Sequence, residues 1–266
     1  MGGIVVRDTE PDHARRIVAD AIDKGVNYFD VAPLYGDAEF KLGPALKPFR
    51  KDVYLACKTG QRSYVAAAAE LKQSLKRLET DHFDVYQFHG LDDIEKDVKA
   101  IFGKDGAIKA FVEAKKAGVI RNIGLSVHRP SAAIMAMNEF DFDTIMFPVN
   151  FGTHFNCNLE SEVLAMAKKR NMGIIGIKAI AGHKCSQGAI SVSYPKCWYE
   201  PIDSPDTAEL ALNWALQQGI SLTIPPGDES LFKLCLSLAQ SCKKLTESQI
   251  EQLKNIASAA EPLFTG

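Results

Sequence analysis

The sequence has no charge excess, no long apolar run and no paired cysteine motif. Its 31 Lys and Arg nearly offset 33 Asp and Glu, leaving a formal charge of −2. That balance provides no basic footprint for nucleic acid. No apolar stretch approaches the roughly 18 residues of a membrane span. The opening Met1-Gly-Gly-Ile-Val-Val-Arg7 lacks a signal-peptide pattern, because charge arrives early and no long apolar segment follows. Val6 also breaks the myristoylation pattern. Six cysteines at positions 57, 157, 185, 197, 235 and 242 include no C-x-x-C pair. In 266 residues that predicts reduced thiols and a cytoplasmic setting. Cys185 and Cys197 lie near His183 in sequence but match no standard zinc spacing, so no metal is expected. A glycine-rich G-x-G-x-x-G turn is absent too, which argues against an open dinucleotide-binding sheet.

What is present is alternation. Short β-branched or aromatic runs occupy Gly3–Val6 and residues 26–30, 53–57, 83–88, 120–125, 144–149, 173–178 and 221–224. Helical patterns fall between them, at 11–24, Ala38–Leu46, 64–78, 106–117, Pro130–Glu139, 159–170, 204–218 and Glu229–Ala239. Their punctuation is explicit. Gly25 and Gly118 stand where helices should stop, and Pro130 stands where one should start. A further amphipathic helix is expected at 247–260. Eight β-then-α units are the arithmetic of an α/β fold of the parallel, eight-stranded (β/α)8 barrel type, with an extra C-terminal helix. The whole of 1–266 then reads as one domain. Only two residues precede the first run. The longest irregular stretch, 181–203, is expected to be a loop over the barrel mouth, with Tyr194, Trp198 and Tyr199 on it.

Polar residues end the apolar runs. Asp30, Lys58, His89, Ser126, Asn150 and Lys178 each sit at such an end, where barrels of this type build their active sites. Asp30, Lys58 and His89 come from adjacent strands and should converge, and Tyr35 lies five residues past Asp30. A carboxylate keeps a buried lysine charged. That ammonium should favour the phenolate of Tyr35 and lower its pKa from about 10. His89 can then orient a substrate oxygen. Such a relay serves carbonyl/alcohol interconversion and has no hydride source of its own, so a cofactor is implied.

These residues stand in segments that resemble the aldo-keto reductase superfamily, in its bacterial and archaeal predicted-oxidoreductase branch. The similarity spans nearly the whole chain. It is carried by Asp30 to Glu39 with Tyr35-Gly36, by the run ending in Lys58, by Asp84-Val-Tyr-Gln-Phe-His89, and by Ile123-Gly-Leu-Ser126. The resemblance implies an NAD(P)H-dependent oxidoreductase reducing an aldehyde or ketone to an alcohol. It makes Tyr35 the general acid, Lys58 its modulator, Asp30 the anchor of Lys58, and His89 the carbonyl-orienting group. The NADP(H) or NAD(H) cofactor would be held by Ser126, Asn150, Ile177, Lys178, Pro226, Gly227 and Ser230. The resemblance also implies an N-terminal hairpin, which is expected to be missing here or the start to be incomplete, and several positions depart from the family pattern. Val127 follows Ser126 where an Asn is usual, leaving His128 or Asn150 for that contact. Met146 stands for the usual Gln, and Ile177 for a stacking tyrosine. Asp228 and Glu229 lie where a cation would grip a 2′-phosphate, and two carboxylates would repel it. The partner expected is a small carbonyl or alcohol, with no nucleic acid and no membrane, and the protein is expected to be a monomer. Two other readings fit the same residues. One is a non-catalytic nicotinamide-binding regulatory barrel. The other is a lyase forming a Schiff base on Lys58 or Lys178.

Overall fold

The computed structural model describes residues 1–185 and 190–265. The chain forms two compact units, Met1–Ile145 and Met146–Gly266.

The first unit is built on four parallel strands that pair in chain order: β1 (Tyr28–Asp30), β2 (Tyr54–Thr59), β3 (Phe83–His89) and β4 (Ile120–Ser126). Their register sets Asp30 beside Ala56, Lys58 beside Gln87, and His89 beside Ser126. Strands covered on both faces are expected to be continuously apolar. β2 and β3 bury Leu55, Ala56, Cys57, Phe83, Tyr86 and Phe88, and the polar Lys58, Thr59, Asp84 and Gln87 interrupt that run. Helix α1 (Pro11–Asp23) precedes β1, helices α2 (Ala38–Leu46), α3 (Tyr64–Arg77), α4 (Lys99–Phe102) and α5 (Ile108–Lys116) lie between the strands, and α6 (Pro130–Glu139) follows β4. α1 shows the logic. Pro11 opens its first turn, and Ala14, Ile17, Val18 and Ala21 form one buried stripe. Gly25 then takes φ +89°, a conformation glycine adopts without a side-chain clash. α5 packs through Phe111, whose ring stacks on Phe88 at 4.0 Å between centroids.

The second unit begins within β5 (Thr144–Pro148) and contains β6 (Gly173–Ile177), β7 (Ala181–Lys184), β8 (Tyr199–Pro201) and β9 (Leu222–Ile224). β6 and β9 pair in parallel, with Ile177 opposite Ile224. Its helices are α7 (Phe151–Cys157), α8 (Ser161–Lys169), α9 (Pro205–Leu216), α10 (Glu229–Ala239) and α11 (Glu247–Ser258). α11 starts with a capping box between Thr246 and Gln249.

Three expectations are corrected. Gly3–Val6 is a 3₁₀ turn, not a strand, with Val5 N–H donating to Gly2 O at 3.1 Å. Only Gly2 makes a parallel bridge, to Asp30. Periodicity cannot separate a four-residue buried strand from a buried turn. Both Val5 and Val6 are fully buried here. Second, 181–203 is not wholly irregular, because β7 and β8 form an antiparallel pair with His183 opposite Glu200. Residues 186–189 of that stretch lie outside the described residues. Third, Lys178 falls just past β6, which ends at Ile177, rather than within the strand expected at 173–178. Among the described residues no helix is long and apolar enough to cross a membrane.

Candidate active site

In the first unit, Asp30 closes β1, Lys58 lies in β2 and His89 closes β3. Lys58 is fully buried and Asp30 is 2% exposed. The Lys58 ammonium forms an ion pair with Asp30 and also donates to the Tyr35 phenolic oxygen at 3.2 Å. It lies 5.0 Å from the centre of the Tyr35 ring. The loop after β1 presents Tyr35 through a tight turn, with Tyr35 N–H donating to Ala32 O at 3.0 Å and Gly36 at φ +61°. His89 meets Tyr35 edge-on, with ring centroids 5.6 Å apart. The four predicted relay residues therefore converge.

Electrostatics sharpens their roles. Burial works against the Lys58 ammonium, but Asp30 and Tyr35 outweigh it and raise its pKa. Lys58 thus stays charged. Burial and the Lys58 charge push His89 down to about 3, so its imidazole is neutral at physiological pH. Tyr35 differs from the sequence expectation. Burial raises its pKa, and Asp30 adds to the rise, against the lowering effect of Lys58. Desolvation of the phenolate wins, and Tyr35 rests as a protonated phenol.

Sequence reasoning missed two supporting residues. Gln87 donates to the second Asp30 oxygen at 3.1 Å. Its signal was available, because strand alternation puts it on the same face as His89. Arg62 donates to the carbonyls of His89 and Gly90, at 2.9 and 2.8 Å, and pairs with Asp97 at 2.9 Å. Nothing local in the sequence links Arg62 to β3. Glu39, in the Tyr35 segment, accepts from Arg77 at 2.9 Å. Ser126 is buried at the end of β4, with its carbonyl accepting from Gly90 and Leu91. His128 is held by Asp92, which accepts from the backbone N–H at 2.6 Å and lies 3.0 Å from Nδ1.

The other candidate residues lie in the second unit. Asn150 caps α7, its Oδ1 accepting from Thr153 N–H at 3.1 Å. Its Nδ2 donates to Lys178 O at 2.9 Å and Ala181 O at 2.8 Å. The whole amide is committed to backbone. Ile177 ends β6, and Lys178 follows it with φ +68°. Pro226 and Gly227 precede α10, and Ser230 lies in its first turn. Two of the N–H groups there are already used. Asp228 Oδ1 accepts from Ser230 N–H at 2.8 Å, Ser230 Oγ at 2.6 Å and Leu231 N–H at 3.3 Å. Among the described residues no three His, Cys, Asp or Glu side chains gather to hold a metal.

The donor set fits a nicotinamide cofactor. A protonated phenol, a fixed ammonium and a neutral imidazole can supply and stabilise a proton, and they need hydride from elsewhere. Solved structures agree on the fold. The chain is similar to aldo-keto reductase AKR11C1 from Bacillus halodurans (holo form), with a TM-score of 0.74 and 24% identity over 99% of this chain and 92% of that one. It is also similar to Bombyx mori aldo-keto reductase (AKR2E4) in complex with NADP, with a TM-score of 0.69 and 16% identity over 96% and 87%. The fold class is the α/β barrel of the (β/α)8 type. An uncharacterized oxidoreductase, YqkF of Bacillus subtilis (strain 168), is 27% identical over 95% of this chain and 90% of that protein. Residues 2–190 match the aldo/keto reductase family, and the chain belongs to that family. It is an NAD(P)-dependent oxidoreductase.

Proposed function

We propose that this protein reduces an aldehyde or ketone to an alcohol, or runs the reverse, with Tyr35 as the proton donor. The observation that carries the reading is the buried Asp30–Lys58–Tyr35 relay beside a neutral His89. The cofactor, NADP(H) or NAD(H), supplies hydride when bound. Tyr35 holds a proton at neutral pH and gives it to the developing alkoxide oxygen. Lys58, 3.2 Å from the phenolic oxygen, stabilises the phenolate left behind. Asp30 pairs with Lys58, and Gln87 donates to the other Asp30 oxygen. Neutral His89 donates a hydrogen bond that orients the carbonyl oxygen. Ser126, Ile177, Pro226, Gly227 and Ser230 are proposed to hold the dinucleotide, with Lys178 among them. Asn150 contributes through the backbone of Lys178 and Ala181.

All of 1–266 is read as a single aldo-keto-reductase-like domain, working as a cytoplasmic monomer on a small carbonyl or alcohol. A second reading has one observation in its favour. Burial brings the Lys178 amine down to about 8, as a Schiff-base lyase requires. Lys58 is unsuited to that role because Asp30 keeps it charged. The deciding experiment titrates the protein with NADPH and NADH by nicotinamide fluorescence, then follows turnover of simple aldehydes. Binding of either dinucleotide with aldehyde reduction supports the proposal. Absence of binding, or borohydride trapping of a carbonyl substrate on Lys178, overturns it.

A further inference from the structure

Four buried or half-buried cations are answered by anions. Lys58 has Asp30, Arg50 has Asp84 at 3.0 Å, Arg62 has Asp97 at 2.9 Å and Arg77 has Glu39 at 2.9 Å. Lys178 is held differently, by aromatic faces. It is half-buried, and among the described residues no carboxylate pairs with it and no oxygen accepts from its ammonium. Residues 186–189, Ser-Gln-Gly-Ala, carry no charged side chain.

The position is built rather than accidental. Lys178 adopts φ +68°, left-handed backbone that a non-glycine residue rarely takes. Asn150 Nδ2 and the Ala181 N–H, at 2.9 Å each, both donate to the Lys178 carbonyl and hold that conformation. The side chain then extends over two rings. Its Nζ lies 4.9 Å from the centre of Trp198 and 4.6 Å from the centre of Tyr199. Tyr199 is buried and Trp198 is largely exposed, so the shelf has a closed side and an open side. Aromatic faces attract an ammonium, but they accept no strong hydrogen bond from its three donors. A cation taken partly out of water without a counter-charge is costly. The depressed pKa, about 8, registers that cost, and it arises from burial.

We infer that Lys178, on its Trp198–Tyr199 shelf, is an anion-recognition residue that takes a carboxylate or phosphate oxygen of a ligand. This rests on the reductase reading only for the source of the anion. It is either a phosphate of the dinucleotide or an anionic group on the carbonyl substrate. The latter makes the substrate class oxo-acids or phosphorylated carbonyl compounds.

The first test needs no turnover. The rate at which Lys178 is acetylated is followed by peptide mass spectrometry, with the exposed Lys254 as reference. Succinate or inorganic phosphate should slow labelling of Lys178 by about fivefold or more, which corresponds to occupancy of most sites. Neutral 1,4-butanediol should not. If neither anion nor either dinucleotide protects Lys178, the inference is wrong. The second test assigns the source with Lys178→Met and Lys178→Arg. Loss of about tenfold or more in Lys178→Met should appear in one of two places. It appears in dinucleotide affinity, or in kcat/KM for 4-oxobutanoate well beyond any fall in that for butanal. Lys178→Arg should retain most of either. Four values within about twofold of wild type would overturn the inference, and continued reduction of butanal would leave the reductase reading standing. Failure of the wild type to bind either dinucleotide would sink the reductase reading, and the labelling result would still decide Lys178.

Discussion

Two lysines stand near strand ends, one in each unit, in opposite electrostatic states. Lys58 is fully buried, yet its pKa is raised because Asp30 and Tyr35 outweigh burial. Lys178 is only half-buried, yet its pKa falls to about 8 because burial is unopposed by any carboxylate. The difference shows that depth does not set the charge state of a buried lysine. Its partners do. A lysine answered internally is a fixed element of machinery, held in one state. A lysine left unanswered is poised for a ligand.

The strongest test of the first half of this comparison is Tyr35→Phe. It removes one hydroxyl and the proposed proton, so aldehyde reduction should fall about 10²–10⁴-fold. Dinucleotide affinity and Tm should barely move. A fall smaller than tenfold would mean that another group delivers the proton. Lys58→Met comes next. It should abolish most turnover, and it should also destabilise the fold by about 3–5 kcal/mol, because Asp30 is left buried without its cation. Lys178→Met, which strands no partner, should leave stability unchanged or raised. Equal chemical-denaturation midpoints for the two variants would break the comparison.

How far the sequence revealed this division follows from where the determining forces are local. The relay was legible because Asp30, Lys58 and His89 interrupt apolar strands, and strand order alone brings them together. Helix boundaries such as Pro130–Glu139 were legible through proline and glycine signals. The Tyr35 pKa was not, because its direction depends on how much desolvation opposes Lys58, and desolvation is a tertiary quantity. Arg62 was invisible for a similar reason, since its targets are backbone carbonyls 27 and 28 residues away. The aromatic shelf was half legible. Trp198 and Tyr199 could be suspected of lining a pocket, but only the β7–β8 pairing brings them to Lys178.

His89 extends the contrast to pH. Its folded pKa is about 3, against 6.5 for an ordinary histidine. Between those values the unfolded chain binds a proton that the folded protein refuses. Stability from this group is therefore complete above about 6.5 and is lost as the pH falls toward 3. The expected slope is up to about 1.4 kcal/mol per pH unit in that window. In His89→Leu, urea denaturation across pH 4–6 should show a shallower dependence by up to that amount. An unchanged slope would mean that His89 is not held neutral by its surroundings.

The smallest expected effect concerns Asp228, which answers a positive end much as Asp30 answers Lys58. The N-terminus of α10 carries unpaired N–H donors and a partial positive charge, a setting suited to phosphate. Asp228 already occupies it, accepting from Ser230 and Leu231. If the dinucleotide lies along 226–230, this carboxylate both uses the donors and repels a 2′-phosphate. Two substitutions separate the effects. Asp228→Ala removes cap and charge and should cost about 1 kcal/mol in stability. Asp228→Ser keeps a cap and removes the charge, so Tm should change little. In both, the ratio of NADPH to NADH affinity should rise by roughly three- to tenfold, from removal of one nearby like charge. A rise in Asp228→Ala alone would trace the effect to freed N–H groups. An unchanged ratio in both would place the 2′-position away from α10.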